Sequence, residues 1–180
     1  GVQTCALPIF FSAFRSIENE LPGWTLRAIG PGVEAQNELI QSAIVSADAT
    51  ELLKNGKITL EGPTDAPAKM LSQAAALVIS SLYGETSPLI GAEAAAAGIP
   101  VITSRVGNCA DFVDDPRFAV EPGSIEDLAR AMAEYASLSD NEREALSRAA
   151  RGRAERDYNP ARVVAAYRDR FTAVLAERKS

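Results

Sequence analysis

The chain has 180 residues, enough for one ordinary domain with an appended helix. At 47% hydrophobic, 23% charged and a mean hydropathy of −0.03 it is globular, with no apolar run near the roughly 18–20 residues that cross a bilayer. A net charge of −6 repels phosphate backbones, so no nucleic-acid partner is expected, and the lack of histidine removes His-based general bases, Ser-His-Asp and Cys-His catalysis and His-ligated metals from this chain.

Gly1-Val2-Gln3-Thr4-Cys5-Ala6-Leu7-Pro8-Ile9 resembles the in-frame translation of a sequencing-library adapter and lacks the basic start of a signal peptide. It is expected to be an artefact outside the natural fold, which makes the chain a fragment truncated at its N-terminus. Cys109 is then the one biological thiol, which points to a reducing compartment. The two cysteines form neither a disulfide framework nor a zinc quartet.

Phe10, Phe11, Phe14, Ile17 and Leu21 recur at helical spacing and predict a helix that Pro22-Gly23 stops. Residues 24–29 read as a strand closed by Gly30-Pro31-Gly32. A helix is predicted over 34–47, with Leu39, Ile40, Ala43 and Ile44 on one side, and a further turn over 48–53 ends at Asn55-Gly56. Residues 57–60 form a second strand, halted by Gly62-Pro63, and 66–73 a short helix. The unbroken apolar run 76–80 predicts a strand buried on both faces. An Ala-rich helix over 88–97 ends at Gly98, and 100–103 is another buried strand. A short helix near 110–113, a strand at 118–120 and helices at 125–137, 141–156 and 160–179 complete the chain.

Strands alternating with helices predict an α/β fold: a Rossmann-like three-layer α/β/α domain with a mostly parallel sheet. Ligands of such sheets sit at the carboxyl ends of the strands. The candidate loops are therefore 30–32, 61–65, 81–87 and 104–108.

The loop at 81–87 carries the clearest chemistry. Ser87 is a plausible N-cap and Pro88 a first helical residue, so the helix start presents free N–H groups and a positive dipole end suited to a diphosphate. Glu85 precedes the helix and Glu93 lies within it, so both carboxylates can line one cleft. A carboxylate accepts two sugar hydroxyls at once. The structural alternative is that Glu85 is a solvated loop acid and Glu93 a surface helix acid. Against it, Glu93 stands among Gly91, Ala92 and Ala94–Ala97, and a glutamate in a closely packed helix needs partners.

The spacing Glu85…Glu93, followed by Ala97-Gly98-Ile99-Pro100-Val101, resembles the glutamate-pair motif of glycosyltransferase family four, retaining enzymes of the GT-B fold. Gly62-Pro63-Thr64-Asp65 with Met70-Leu71 and Ala74–Ser80, then Val101–Gly107, Phe112-Val113-Asp114, Val120-Glu121-Pro122-Gly123 and Leu128-Ala129, resemble further runs of that family in order. The resemblance covers residues 10–180. It implies a nucleotide-sugar-binding domain over 10–157 and a crossing helix over 158–180. It implies that Glu85, as the catalytic candidate, contacts donor sugar hydroxyls near the reacting centre. Backbone N–H groups of Thr86, Ser87 and Leu89, around Pro88, would cradle the diphosphate. Glu93 would hold the ribose, and Gly62, Pro63 and Thr64 would border the base. No cofactor and no metal are implied; the substrate is a nucleoside-diphosphate sugar such as UDP- or GDP-hexose. The expected location is the cytoplasm, at the membrane's cytoplasmic face for the whole enzyme, with no integral membrane segment.

The departures also matter. Thr86-Ser87-Pro88 stand where the family usually has Gly-Phe-Gly-like residues. The family's first strand, central in the order 3-2-1-4-5-6, lies ahead of Phe10 with the Arg and Lys that neutralise the diphosphate. The fold is thus expected to lack that strand and an acceptor domain preceding it, and the fragment is expected to be inactive alone.

Two other readings compete. Gly30-Pro31-Gly32-Val33-Glu34-Ala35 fits the dinucleotide pattern G-x-G-x-x-A, which would make the chain the NAD-binding domain of a dehydrogenase. The required acid about 20 residues on is misplaced, since the next strand ends near Leu60-Glu61. The other is a non-enzymatic α/β docking module. Arg148, Arg151, Arg153 and Arg156 interleave with Glu142, Glu144, Glu155 and Asp157, which predicts a solvated salt-bridged face. Val163, Tyr167, Phe171 and Leu175 predict a core-facing stripe. Cys109 is expected to be a buried small residue.

Overall fold

The computed structural model describes residues 6–177, so Cys5 and the end of the last predicted helix lie outside the described residues. Helix α1 spans Leu7–Ile17 and continues as a 3-10 turn to Glu20. It starts within the segment set aside above, and Leu7 and Ile9 pack partly buried on the core. Its inner face is Phe11, Ala13, Phe14 and Ile17, one stripe at helical spacing.

Strand β1 (Leu26–Ile29) runs parallel to β2 (Ile58–Glu61), with Leu26 opposite Ile58 and Ile29 opposite Glu61. Between them lie α2 (Glu38–Ser46) and α3 (Thr50–Lys54). The sequence predicts α2 from residue 34. It begins four residues later because the Asn37 side chain accepts from the Leu39 N–H and donates to the Gly32 carbonyl, capping the helix there. Asp48 turns the chain at φ 51°, separating α2 from α3.

After α4 (Pro67–Leu71), strand β3 (Leu77–Ile79) pairs in parallel with β4 (Val101–Ser104), which pairs with β5 (Ala119–Val120). Helix α5 (Leu89–Ala97) crosses between β3 and β4. Its Gly91 lets the Phe112 ring lie against the helix: an added Cβ would stand 2.6 Å from it. Helices α6 (Ile125–Ser137), α7 (Asp140–Asp157) and α8 (Pro160–Glu177) follow. Ser124 caps α6, and Ser139 with Glu142 forms a capping box on α7.

The α/β architecture with parallel pairing is as expected, but the sheet is divided. The strands form a two-stranded sheet, β2-β1, and a three-stranded sheet, β3-β4-β5. β4 is buried at all four positions. Leu77 and Val78 of β3 are only half-buried, against the expectation of burial on both faces, because they line a cavity between the two sheets. The main core joins α1, α2 and α6 to both sheets. A second cluster, with Leu71, Ile79, Val101 and Phe112, sits under α5.

The Arg face of α7 is solvated as expected at Arg148, Arg151 and Arg156, which pair with Glu144, Glu155 and Asp157. Arg153 is the exception: it is buried and pairs with Asp114. The stripe on α8 differs from expectation. Val163, Tyr167, Phe171 and Leu175 are all exposed, and α8 has no buried residue, because no described element packs over that face. No described helix is long and apolar enough to cross a membrane.

Candidate functional site

The loops after β3 and β4 lock together. The Asn108 N–H donates to the Thr86 carbonyl at 2.7 Å. The Ser104 hydroxyl donates to the Ser81 carbonyl at 2.5 Å, and the Ser81 hydroxyl to Glu85 Oε1 at 3.4 Å. Gly107, at φ +53°, leaves room for the chain: a Cβ there would lie 2.2 Å from the Glu85 carbonyl oxygen and 2.8 Å from that of Thr86. The backbone of the segment carrying Glu85 is therefore held on the β4 loop. Cys109 is buried beneath it, as expected, and burial pushes its thiol pKa up, with the nearby Glu85 charge adding to the shift.

The start of α5 differs by one residue from the sequence reading. Pro88 is extended (φ −66°, ψ 125°) and is itself the N-cap, so the helix begins at Leu89 and Ser87 does not cap it. No side chain caps this end. The Gly91 N–H donates to the Pro88 carbonyl at 3.0 Å, which leaves the Leu89 and Ile90 N–H groups as the donors of this end, a positive dipole end that follows Glu85, Thr86 and Ser87 in the chain. Glu93 lies just past the first turn of α5 and is exposed. Gly91, Ala94 and Ala95 are the residues α5 buries. The burial argument for Glu93 having partners is therefore overturned: the small residues face the core and Glu93 faces solvent, where a carboxylate is free of a desolvation penalty and open to a ligand.

The loops after β1 and β2 form a second cluster. The Gly30 N–H donates to the Glu61 carbonyl at 3.0 Å, and Val33 N–H to the Gly30 carbonyl at 3.1 Å. Gly62 lies against the Glu34 side chain, where a Cβ would meet Oε1 at 3.1 Å. The Thr64 hydroxyl accepts from the Ala66 N–H at 3.1 Å, and Pro63 is exposed beside it. Gly30 and Gly32 belong to a turn that runs on to Asn37, the N-cap of α2, so the helix starts six residues past Gly32 and not directly after the glycines, as the dinucleotide pattern needs. Glu61 is also engaged. It takes a two-bond fork from Arg27, at 2.8 and 3.0 Å, which holds its carboxyl below the usual carboxylate range.

A cavity of about 710 Å³ lies between the two sheets, between β1 and β3. Gly30, Pro63 and Thr64 border it, but Glu85, Thr86, Ser87, Pro88, Leu89 and Glu93 do not. The two groups of candidate residues thus sit on separate sheets, the glutamates on the three-stranded one. Gly107, Asn108 and the Arg27–Glu61 pair escaped the sequence reading. The first two lie in a candidate loop but carry no titratable group themselves, and the pair joins residues 34 apart in sequence. Among the described residues no cluster could hold a metal ion.

A family model described as "Glycosyl transferases group 1" matches residues 7–153. No curated protein sequence matches the chain. Among solved structures, sucrose-phosphate synthase from Thermosynechococcus elongatus superposes with a TM-score of 0.74 at 22% identity, over 96% of this chain and 43% of that one. A TarM variant from S. aureus, in complex with Fondaparinux, alpha-GlcNAc-glycerol and UDP, superposes with a TM-score of 0.69 at 18% identity, over 91% of this chain and 31% of that one. The chain thus spans less than half the length of either structure it resembles.

Proposed function

Because the chain belongs to the group 1 glycosyl transferases, we propose that it is the donor-binding half of a retaining enzyme that transfers a hexose from a nucleoside-diphosphate sugar. The observation that carries this reading is the loop lock: Asn108 and Gly107 hold the Glu85 segment beside the uncapped start of α5. A diphosphate at that end accepts hydrogen bonds from the Thr86, Ser87 and Leu89 amides and meets the positive end of the helix. Pro88 has no N–H to give, but its fixed φ shapes the cradle. Glu93, exposed on α5, accepts from the two ribose hydroxyls. Gly62, Pro63 and Thr64 border the base, and Gly30 and Gly32 turn the chain at the same edge.

In this reading Glu85 accepts from hydroxyls of the donor sugar and fixes its anomeric carbon toward an acceptor. The leaving group is a nucleoside diphosphate, whose growing negative charge the amide cradle and the helix dipole stabilise. The step moves the glycosyl group from the diphosphate oxygen to an acceptor hydroxyl with retained configuration, and the acceptor proton leaves with the diphosphate or to solvent. No redox cofactor takes part. In the family the chain resembles, the acceptor site belongs to a preceding domain and the cations that share the diphosphate charge to the first strand and loop of the donor domain, ahead of Phe10, so the 180-residue chain alone is expected to be inactive. The whole enzyme works in the cytoplasm, at the membrane's cytoplasmic face. Turnover of a UDP- or GDP-hexose tests this directly. The chain alone is expected to show none, and measurable transfer by it would contradict the division of labour.

A further inference from the structure

Between α3 and β2 the chain turns through Asn55 and Gly56, both exposed. Leu52 before them and Ile58 after them are buried, so the pair is the tip of a turn pinned at both ends. Asn55 is the C-cap of α3 (φ −89°, ψ 3°), and Gly56 follows in the left-handed region at φ +76°. The Asn55 side chain is held within the turn, where its Oδ1 accepts from the Lys57 N–H at 3.1 Å. A Cβ built on Gly56 would meet no atom within 4 Å, so nothing covers the backbone there.

The turn sets an electrophile beside a nucleophile. Asn55 Cγ and the Gly56 nitrogen are one ring closure apart, and joining them makes a succinimide. Glycine favours that closure twice over: it has no side chain to shield its nitrogen, and its backbone rotates freely. The Lys57 N–H already donates to the oxygen that becomes negative when Cγ is attacked, the place of an oxyanion donor. The Gly56 N–H is weakly held, donating to the Leu53 carbonyl at 3.3 Å, beyond the usual range for such a bond. The other asparagines lack this setting. Asn19, Asn37 and Asn141 precede glutamate, and Asn108 precedes Cys109. Asn159 precedes Pro160, whose nitrogen has no proton to lose. The Asn37 amide is also occupied, bonded to the Gly32 carbonyl and the Leu39 N–H.

We propose that Asn55-Gly56 is a site of self-modification, at which the Gly56 backbone nitrogen displaces the Asn55 side-chain nitrogen as ammonia and water then opens the ring. In the first step the Gly56 nitrogen gives its proton to solvent hydroxide and bonds to Cγ. The Cγ–Nδ2 bond breaks, and the leaving nitrogen takes a proton from water. In the second step water adds to one of the two ring carbonyls. Addition at Cγ leaves aspartate. Addition at the backbone carbonyl leaves isoaspartate, with one more methylene in the main chain. Water is the sole co-reactant. The added methylene falls just ahead of β2, where the Lys57 carbonyl accepts from the Leu26 N–H at 2.8 Å and Leu26 stands opposite Ile58. The isoaspartyl chain therefore loosens the first rung of the β1–β2 ladder. The site is independent of glycosyl transfer and its test contains no sugar nucleotide, so the two readings can fail separately.

The 180-residue chain would be incubated in neutral and in mildly alkaline buffer, then digested and each asparagine peptide weighed. The Asn55 peptide should gain about 1 Da at least about tenfold faster than any other asparagine peptide. The rate should rise with alkalinity, because the nucleophile is the deprotonated amide. Part of the product should accept a methyl group from protein isoaspartate methyltransferase. In that fraction, amide hydrogen exchange at Leu26 should be faster than in the unconverted chain. Asn55→Gln, whose ring closure is larger and slower, should keep its mass and its Leu26 protection. Conversion of Asn55 no faster than that of Asn37 or Asn141 overturns the proposal. So does conversion to aspartate alone, which would mean direct attack by water with no ring. Conversion in urea but not in the native chain would also overturn it, by showing that the fold closes the turn.

Discussion

Gly107 and Glu85 meet backbone to backbone: a Cβ on Gly107 would stand 2.2 Å from the Glu85 carbonyl oxygen. The position combines that approach with a φ of +53°, where a side chain costs about 1–2 kcal/mol before any clash. The clash is with main chain, which cannot swing away as a side-chain tip can. Gly107→Ala should therefore lower stability by about 2 kcal/mol or more and displace the Glu85 segment. Urea unfolding checks the first effect. The Thr86 and Asn108 amide shifts check the second, since their hydrogen bond spans the same junction. A variant with wild-type midpoint and shifts would show that the loops are not locked.

Gly91 makes the equivalent test under α5. An added Cβ falls 2.6 Å from the Phe112 ring, and overpacking of a closed core costs about 1–3 kcal/mol. Gly91→Ala should lose stability in that range, and Gly91→Ala with Phe112→Leu should recover part of it. Thermal unfolding of the three proteins reads this out. Two losses that simply add would mean that the residues are not in contact.

Arg153 and Asp114 make a buried ion pair between α7 and the loop after β4. Asp114→Ala leaves the guanidinium buried without its counter-charge and should cost about 3 kcal/mol. Replacing Arg153 and Asp114 together by Leu and Ala should cost less than Asp114→Ala alone. Chemical denaturation checks the order of the two losses.

The Arg27–Glu61 fork gives a pH dependence with a definite sign. Arg27 first, by hydrogen bonding, lowers the Glu61 pKa in the folded chain. A carboxylate whose folded pKa is depressed adds stability above its unfolded pKa. That stability is lost as pH falls through the depressed folded value. Both side chains are about one-third exposed, so the contribution is small, on the order of 0.5 kcal/mol. Glu61→Gln should be less stable than the parent near neutral pH, and the gap should close as the solution is acidified below the carboxylate range. A gap that widens in acid would contradict the assignment.

Much of the fold is legible in the amino-acid sequence because it rests on local pattern. Val101–Ser104 is apolar enough to be a buried strand, Ser124 announces α6, and Ala-rich α5 stops at Gly98. What escapes depends on partners distant in sequence. The stripe Val163–Tyr167–Phe171–Leu175 has the spacing of a core face, yet nothing described covers it. Arg153 shares its helix with three solvated arginines and differs only through Asp114. The half-burial of Leu77 and Val78 follows from the division of the sheet, which no residue in β3 encodes. In the candidate site, the glutamate spacing is readable, but the exposure of Glu93 depends on which face of α5 the core takes.

The central claim is that the cradle beside Glu85 binds the diphosphate of a nucleotide sugar. NMR titration of the 180-residue chain with UDP and with GDP tests it most directly. The amides of Thr86, Ser87 and Leu89 should move with one of the two, with affinity weaker than micromolar. Glu93→Gln should weaken that binding. Stationary Thr86, Ser87 and Leu89 amides at saturating concentrations of both nucleotides, with NADH moving Gly30 and Gly32 instead, would contradict it.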